Sequence, residues 1–225
     1  MATIYTIHPT TPQVRLLQQI GSALQAGAVM LYPTDTSYAI GCDLRAKDAL
    51  QRVRHLKQLA TGKPLTFLCP SLAGIAQYAQ VSDSNYRLMR SLVPGPYTFI
   101  LPATKLVPQL VLNPKRKTTG IRVPDHPLCQ AILALLANPI ISTSARLPGE
   151  DETTLTPLER GLSRVELFDR LDRMVDLIVD DGSEVLDQVS TILDLTEPQP
   201  QVLRRGLGYE RVAHWEEDSG ILGRT

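Results

Sequence analysis

Apolar residues recur along this chain in two patterns: helical spacing in some segments and short continuous runs in others. The first helical pattern places its apolar side chains three or four residues apart, at Val14, Leu17, Ile20 and Leu24. Thr11-Pro12 just before it is typical of an N-cap followed by proline at the first helical position, and Gly27 just after it is typical of a helix end. We therefore predict a helix that begins after Thr11 and ends near Gly27.

The same two patterns predict alternating helices and strands along the rest of the chain. Helical spacing predicts further helices at residues 46–58, 72–79, 83–92 and 127–136. Short apolar runs predict strands at residues 2–8, 28–32, 65–69, 97–101, 119–123, 140–144, 177–180, 191–195 and 201–203. Proline-rich connections and neighbouring β-runs interrupt the strand–helix–strand order. The pattern therefore favours an α/β or α+β fold with a twisted mixed sheet over a doubly wound sheet.

The order of elements also limits the number of domains. Segment 147–157 is a polar, acidic loop, and the strands expected after it are too few to build a second core. We predict one domain over residues 1–206 and a tail over 207–225 that contains the only tryptophan, Trp215. The chain has no G-x-G-x-x-G after a strand and no G-x-x-x-x-G-K-[ST], so the standard phosphate loops would not hold a nucleotide.

Composition excludes several classes of protein. With 225 residues, 43% of them hydrophobic and 20% charged, the chain can bury a substantial core without disulfide bonds or structural metal ions. The first residues lack an apolar signal-peptide core, and no apolar run is long enough to span a membrane, so we expect a cytoplasmic protein. The three cysteines are far apart and lack C-x-x-C spacing, which predicts neither a disulfide framework nor a metal site.

A net charge of zero hides an uneven distribution of charge along the chain. Residues 45–146 contain fourteen Lys or Arg against three Asp or Glu, whereas residues 147–225 contain eight against eighteen. The middle of the chain can therefore present a positive cleft to an anion while the molecule stays neutral. Solvated helix faces explain the same charges equally simply.

Five hydroxyl-rich or basic segments lie at expected strand ends, where a sheet can gather them into one anion-binding cleft. They are residues 32–41 (YPTDTSYAIG), 57–65 (KQLATGKPL), Arg122, 142–146 (STSAR), and 190–191 together with 204–206. Lys57 and Lys63 are mobile point charges that suit a polyphosphate, and Arg122 inside an apolar strand needs an anionic partner or must point out of the sheet. Taken singly, each segment also fits an ordinary turn or surface loop.

Taken in order, these segments resemble the YrdC/YciO family over about residues 10–207. The motifs that carry the resemblance are YPTDTSYAIG (32–41), K-x-x-x-x-x-KPL (57–65), PGPYTFIL (94–101), IRVPDHP (121–127), STSA (142–145), STILDL (190–195) and VLRRG (202–206). The resemblance implies a twisted, open mixed sheet flanked by helices, with a large positively charged cleft. It also implies threonylcarbamoyl-AMP synthesis from L-threonine, bicarbonate and ATP, which feeds a tRNA modification.

The resemblance assigns the substrate pocket residue by residue. The positions on the family's motifs are Thr34, Tyr38, Lys57, Lys63, Thr98, Arg122, Ser142, Ser144 and Arg204. Lys57 and Lys63 would neutralise the triphosphate, with Mg²⁺ bridging phosphate oxygens, and Arg122 would bind an anion, either threonine carboxylate or phosphate. The hydroxyls of Thr34 and Thr98 would hydrogen-bond the amino acid. Ser142, Ser144 and Arg204 would hold the nucleotide.

The chain departs from the synthase pattern in a few positions. Leu59 stands where synthases usually carry arginine, Arg146 where they usually carry asparagine, and Leu68 where some members carry histidine. These departures are more like the YciO branch. Loss of a guanidinium from a phosphate site removes transition-state stabilisation, although Arg146 can return the charge from across the cleft.

Two functions therefore remain open: a threonylcarbamoyl-AMP synthase, and a non-catalytic protein that binds double-stranded RNA or tRNA. The basic run Lys115, Arg116 and Lys117 is the candidate RNA contact. Net neutrality argues against strong nonspecific binding to long duplexes, because that affinity comes from many phosphate neutralisations. Three Phe and seven Tyr also provide few platforms for base stacking.

Overall fold

A computed structural model describes residues 1–58, 65–146, 163–186 and 188–215 of the chain. Within these ranges ten strands form a single sheet: β1 Thr3–Thr6, β2 Met30–Tyr32, β3 Ala39–Asp43, β4 Thr66–Leu68, β5 Tyr97–Pro102, β6 Thr118–Arg122, β7 Ile140–Ser144, β8 Leu177–Asp180, β9 Thr191–Asp194 and β10 Gln201–Arg204. The α-helices are α1 Val14–Gln25, α2 Lys47–Leu56, α3 Asp83–Leu92, α4 Pro127–Leu136 and α5 Arg164–Leu171. Short 3₁₀ helices cover Leu72–Gln77 and Tyr209–Arg211.

The sheet is open and mixed, with the strand order β1-β8-β2-β3-β7-β4-β6-β5-β9-β10. Four neighbouring pairs are parallel, namely β1 with β8, β2 with β8, β4 with β6 and β5 with β9. The other five pairs are antiparallel. The sheet contains both parallel and antiparallel pairs, and this confirms the prediction of a mixed sheet flanked by helices over a doubly wound parallel sheet.

Helices cover the two faces of the sheet unequally. On one face, buried side chains of α2, α3 and α5 join a large apolar cluster with residues from across the sheet. On the other face, α1 and α4 pack against each other and over β2, β3, β7 and β8. Burying both apolar stripes this way removes most of the large aliphatic side chains from water, which is the main stabilising term in folding.

Side-chain alternation along the strands leaves part of the second face polar. In β4, Phe67 belongs to the large apolar cluster, whereas Thr66 points to the opposite face. The same alternation in β5 buries Phe99 and presents Thr98 to that opposite face. The cluster formed with α1 and α4 includes Leu68 at the end of β4 but no residue of β5, β6 or β9. Hydroxyl-bearing side chains lie on the uncovered part of this face, and a cleft forms there.

Two predictions about the elements are wrong in detail. The first helix begins at Val14 with Gln13 as its N-cap, not at Thr11-Pro12. The Thr11 amide instead donates to Nδ1 of His8, so the threonine is used in a turn before the helix. The segment predicted as a helix at 72–79 is a 3₁₀ helix, Leu72–Gln77, with Ser71 as its N-cap.

One strand and one α-helix of the described residues were absent from the prediction. The segment that follows Pro33 contains β3, whose five residues are all buried between β2 and β7. Helix α5 begins at a capping box, in which the Ser163 hydroxyl accepts from the Glu166 amide and the Glu166 carboxylate accepts from the Ser163 amide. The predicted acidic loop at 147–157 lies outside the described residues.

The segment after β10 is tied to the sheet. Leu207 forms a β-bridge with Ser190, and the Tyr97 hydroxyl donates to the Gly208 carbonyl at 2.9 Å. The Val212 side chain is completely buried, and Trp215 packs against the large apolar cluster. Residues 207–215 therefore contribute to the core, while the division into a domain and a tail at residue 206 stays a prediction.

Candidate functional site

The open part of the sheet contains a polar cleft with a volume of about 260 Å³. Most residues that the sequence predicts for the substrate pocket line it: Thr34, Lys57, Thr98, Arg122, Ser142, Ser144, Arg146 and Arg204. Four of them are cationic, and the lining contains no carboxylate among the described residues. Lys63 and Leu59 lie outside the described residues, and Leu68 lines the cleft.

Lys57 connects the end of α2 to the end of β7. It is the C-cap residue of α2, and its Nζ donates to the Ser144 carbonyl at 3.0 Å and to the Arg146 carbonyl. An ammonium group near a helix C-terminus is favourably placed because the last carbonyls carry partial negative charge. The ammonium is thereby held at the cleft, where incoming phosphate oxygens can compete for its hydrogen bonds.

Arg122 has the anionic partner that its position inside a strand requires. Its NH2 donates to Oδ1 of Asp35 at 2.6 Å, and its NH1 donates to the Thr36 hydroxyl at 3.0 Å. Both side chains of the ion pair are only 10% exposed. Since Nε of Arg122 and Oδ2 of Asp35 are buried without a partner in the protein, the pair satisfies only part of the hydrogen-bonding capacity of each group.

The loop that follows β2 is organised by Thr34. Its hydroxyl donates to the Ser37 carbonyl at 2.6 Å and accepts from the amides of Thr36 and Ser37. These contacts are those of a hydroxyl-capped turn. The same residue lines the cleft, so the turn interpretation and the binding interpretation of this segment are compatible.

A polar network joins β5, β10 and Ser190, the residue just before β9, at the far side of the cleft. The hydroxyls of Thr98 and Ser190 lie 2.8 Å apart. Arg204 donates from Nε to the Ser190 carbonyl and from NH2 to the Ser190 hydroxyl, each at 3.0 Å. Ser190 therefore fixes the guanidinium of Arg204 at the edge of the cleft.

Ser142 and Ser144 lie on the cleft face of β7, two residues apart. The Ser142 hydroxyl accepts from the Tyr32 hydroxyl at 2.7 Å in the interior. Burial raises the pKa of Tyr32 far above its usual range, so the phenol stays protonated and keeps donating. Ser144 lines the cleft beside the carbonyls that bind Lys57.

Tyr38 does not line this cleft. Its ring packs edge-on against Phe168 with centroids 5.7 Å apart, and the residue is almost completely buried. It lines a smaller neighbouring cavity together with His126 and Ser183. Of the pocket residues assigned by resemblance and described by the structure, Tyr38 is the one that stands apart.

The basic run Lys115, Arg116 and Lys117 lies on an exposed turn before β6, outside the cleft lining. Arg116 donates to Oδ2 of Asp194 at 2.6 Å and to the Thr196 hydroxyl. Its charge is therefore compensated within the protein, whereas both lysines are exposed.

Three residues that shape the cleft escaped the sequence analysis. Asp35 and Thr36 bind Arg122, and Ser190 binds both Thr98 and Arg204. Each lies inside a segment that the sequence had singled out, but its partner comes from a strand distant in the chain. The sequence offered one signal for these contacts, because an arginine buried in a strand needs an anionic partner. That requirement does not identify which carboxylate is the partner.

Oδ2 of Asp181 lies within hydrogen-bonding reach of Nε2 of His126, at 3.3 Å, and Asp181 is also close to Tyr38. Burial acts to raise its pKa, but hydrogen bonds from His126 and Ser183 outweigh burial and lower the pKa to about 2. A carboxyl with a lowered pKa stabilises the fold above its ordinary pKa, and this contribution is lost as the pH falls towards 2.

We therefore expect the unfolding free energy of Asp181→Asn to be about 2 kcal/mol lower at neutral pH and to depend less on pH between about 4 and 2. Denaturant titrations of both proteins across this pH range measure the effect. Asp169→Asn, at an exposed position of α5, is the matched control. Parallel pH curves for the wild type and Asp181→Asn would contradict the assignment.

Comparison with known proteins identifies the family. A family model covering Sua5, YciO and YrdC, described as "Telomere recombination", matches residues 22–206. The chain belongs to this family. An Escherichia coli K12 protein named YciO, described as uncharacterized, is 41% identical over 208 residues, which cover 92% of this chain and 97% of that protein. A threonylcarbamoyl-AMP synthase of Photobacterium profundum is 38% identical over 136 residues, or 59% of this chain and 73% of the synthase.

Solved structures of the family share the fold. The crystal structure of E. coli YciO superposes with a TM-score of 0.81 at 41% identity and covers 92% of this chain and 97% of YciO. The crystal structure of P. abyssi Sua5 complexed with L-threonine has a TM-score of 0.82 at 24% identity, over 95% of this chain and 61% of Sua5. At that identity, the likeness to Sua5 concerns the fold alone.

Two features are missing from the described residues. Among them, no His, Cys, Asp or Glu side chains gather in a group of three or more that could hold a metal ion. None of the helices in the described part of the chain has the length and apolar character needed to cross a membrane.

Proposed function

We propose that this protein is a threonylcarbamoyl-AMP synthase that uses L-threonine, bicarbonate and ATP as substrates. The observation that carries the proposal is the cleft itself, which combines four cations with a row of hydroxyl groups on a rigid sheet. An anionic, hydroxyl-bearing ligand is the chemical complement of such a lining. Similarity to proteins named threonylcarbamoyl-AMP synthase supports the choice of reaction within the family.

The reaction requires positioning and charge neutralisation more than a protein nucleophile. The amino group of threonine attacks the carbon of bicarbonate, and the new N–C bond forms as a C–O bond breaks and water leaves. An oxygen of the resulting carbamate then attacks the α-phosphorus of ATP. A new P–O bond forms as the bond from the α-phosphorus to the bridging oxygen breaks, and diphosphate leaves with that oxygen. Charge accumulates on the phosphoryl oxygens and on the leaving diphosphate, so fixed cations stabilise the transition state.

The residues of the cleft divide between the two substrates. Lys57 and Lys63 would neutralise the phosphates, and Arg122, held by Asp35, would bind the carboxylate of threonine or a phosphate. Thr34 and Thr98 would hydrogen-bond the amino acid. The nucleotide would contact Ser142, Ser144, Arg146 and Arg204.

Magnesium fits this site as a companion of ATP. The cleft lining supplies hydroxyl oxygens and cations but no carboxylate among the described residues, so phosphate oxygens and water would provide most of the ligands. Bound to the triphosphate, the ion would neutralise charge on the β- and γ-phosphates.

The decisive experiment incubates the protein with ATP, Mg²⁺, bicarbonate and labelled threonine and looks for threonylcarbamoyl-AMP. We expect product that depends on all three substrates. Leu59→Arg combined with Arg146→Asn restores the synthase pattern and should raise the rate. Absence of product from both proteins, with ATP binding intact by calorimetry, would overturn the synthase activity while leaving a nucleotide site.

RNA binding is the second candidate, favoured by the exposed lysines on the turn before β6. Replacing Lys115, Arg116 and Lys117 together by alanine should flatten the slope of log affinity against log salt by about 2 units, because Arg116 is already paired with Asp194. ATP affinity should stay nearly unchanged, since the run does not line the cleft. Lost ATP binding with unchanged RNA binding would show that this division is wrong.

A further inference from the structure

A second cavity lies beside the cleft and has a volume of about 170 Å³. Thr34 and Ser37 line both cavities, so this short segment lies between them. We call the second cavity the Tyr38 pocket, after the residue that distinguishes it. The lining residues that matter here are Asp35, Ser37, Tyr38, His126, Ser183 and Glu184.

Three residues of the Tyr38 pocket carry buried polar atoms without a hydrogen-bond partner in the protein. They are Oδ2 of Asp35, Nδ1 of His126 and the Tyr38 hydroxyl, which lies near the Ser183 side chain but forms no hydrogen bond of normal geometry with it. Tyr38 as a whole is only 2% exposed. A buried polar atom left unpaired costs about 1–3 kcal/mol, and native proteins avoid such atoms, so three of them around one cavity indicate an occupant that satisfies them.

The unpaired atoms mainly accept hydrogen bonds. Oδ2 of an ionised Asp35 can only accept, and the Tyr38 hydroxyl can accept as well as donate. Nε2 of His126 faces a carboxylate oxygen of Asp181 at 3.3 Å, so in the neutral ring Nε2 carries the proton and Nδ1 accepts. The missing partner is therefore a hydrogen-bond donor.

The electrostatic surroundings of the Tyr38 pocket favour a positive charge. Four carboxylates lie in or next to it: Asp35, Asp180, Asp181 and Glu184. Two guanidinium groups compensate part of this charge, Arg122 on Asp35 and Arg164 on Asp180. Burial, followed by the negative charges of Asp181 and Asp180, raises the pKa of Tyr38, although the Ser183 side chain and Arg164 act to lower it. The carboxylates therefore outweigh Arg164 at the Tyr38 hydroxyl.

We propose that the Tyr38 pocket binds a small monovalent cation of the ammonium type, either the free ion or a primary ammonium group. Three of its N–H donors can pair with the three acceptors on Asp35, Tyr38 and His126. An alkali ion is a poorer match, because hard cations prefer oxygen to imidazole nitrogen. A divalent metal is disfavoured, because no group of three or more metal-ligating side chains is found among the described residues.

A cation bound in the Tyr38 pocket would affect the cleft through the carboxylate of Asp35. Oδ1 of Asp35 holds Arg122, and Oδ2 of the same group would hold the cation. A bound cation therefore limits the movement of Asp35 and, through it, of the guanidinium that lines the cleft. The binding itself does not depend on the proposed synthase activity, and it can be tested without any substrate.

Thermal unfolding at constant ionic strength tests the proposal. Ammonium or methylammonium chloride should raise the midpoint temperature by about 4 °C at about 150 mM, relative to tetramethylammonium chloride, which has no N–H donor. Potassium chloride is a further comparison. If potassium raises the midpoint temperature less than ammonium does, the pocket prefers a cation that donates hydrogen bonds. Equal midpoints in all four salts would overturn the proposal and indicate a pocket filled by water.

Tyr38→Phe separates this occupant from a general salt effect. Without ammonium, removing the unpaired hydroxyl should leave the midpoint unchanged or raise it, since a buried unsatisfied group is lost. With ammonium, the rise should fall to less than half of the wild-type value. Tyr86→Phe at an exposed tyrosine of α3 is the matched control, and Glu184→Gln is a second test at an exposed position. A full ammonium response in Tyr38→Phe and Glu184→Gln would overturn the assignment to this pocket.

Discussion

Arg122→Met is expected to lower the free energy of unfolding by about 3–5 kcal/mol, because it leaves the carboxylate of Asp35 buried without its counter-ion. The two side chains are 10% exposed and their charged atoms lie 2.6 Å apart, so solvent can do little to compensate the loss. Urea titration measures the effect. The charge, more than the loss of packing, is the cause, since methionine preserves much of the side-chain volume.

A matched surface pair provides the control for this experiment. Arg52 and Asp176 form an ion pair at 2.8 Å with side chains 49% and 40% exposed, and Arg52→Met should cost less than about 1 kcal/mol. The double variant Arg122→Met with Asp35→Leu should regain most of the lost stability, because no buried charge remains uncompensated. If Arg122→Met lowers the free energy of unfolding no more than Arg52→Met does, Arg122 is not needed to compensate the buried charge of Asp35.

Lys57→Ala is expected to weaken ATP binding by about 30-fold, which corresponds to about 2 kcal/mol, the usual value of a charge-assisted hydrogen bond. The loss for AMP should be several-fold smaller, because an ammonium that faces the β- and γ-phosphates has less to contact in AMP. Calorimetric titration with both nucleotides provides the comparison.

The control for Lys57 lies on the same helix. Lys47 is exposed at the first turn of α2, so Lys47→Ala removes an equal charge without approaching the cleft. Its effect on either nucleotide should be less than about twofold. Equal losses for ATP and AMP in Lys57→Ala would show that this ammonium binds elsewhere on the nucleotide.

The sequence predicted most elements because their patterns are local. Helix α3 was predicted within its observed bounds, since Ser82 caps it and Leu92 ends its apolar stripe. Strand β3 was missed because the ligand-like residues before it and Gly41 within it resemble a loop. Gly41 is required there by packing, as a Cβ would come within 2.8 Å of the Ile140 side chain and 2.9 Å of the Ile141 carbonyl.

The site was predictable as a set of segments but not as a set of contacts. Strand ends rich in hydroxyls and cations indicated where a cleft would form, and the sheet brings them together. The pairing of Arg122 with Asp35 depends on strand order, which local patterns do not encode. Tyr38 lies just before β3, and Ala39, the first residue of that strand, lines the cleft. Successive side chains of an extended chain point to opposite faces, so Tyr38 points away from the cleft and into the neighbouring cavity. The sequence did not predict β3 and therefore did not predict this orientation.

Strand β7 connects the core and the cleft within five residues. Ile140 is packed beneath α4, Ser142 is bonded to Tyr32, and the Ser144 carbonyl binds Lys57, while β3 and β4 pair with the strand on both sides. The conformational entropy of this part of the site is therefore lost when the chain folds, not when a ligand arrives. Ligand contacts made on β7 need not compensate an ordering cost, so more of their interaction energy is available as affinity.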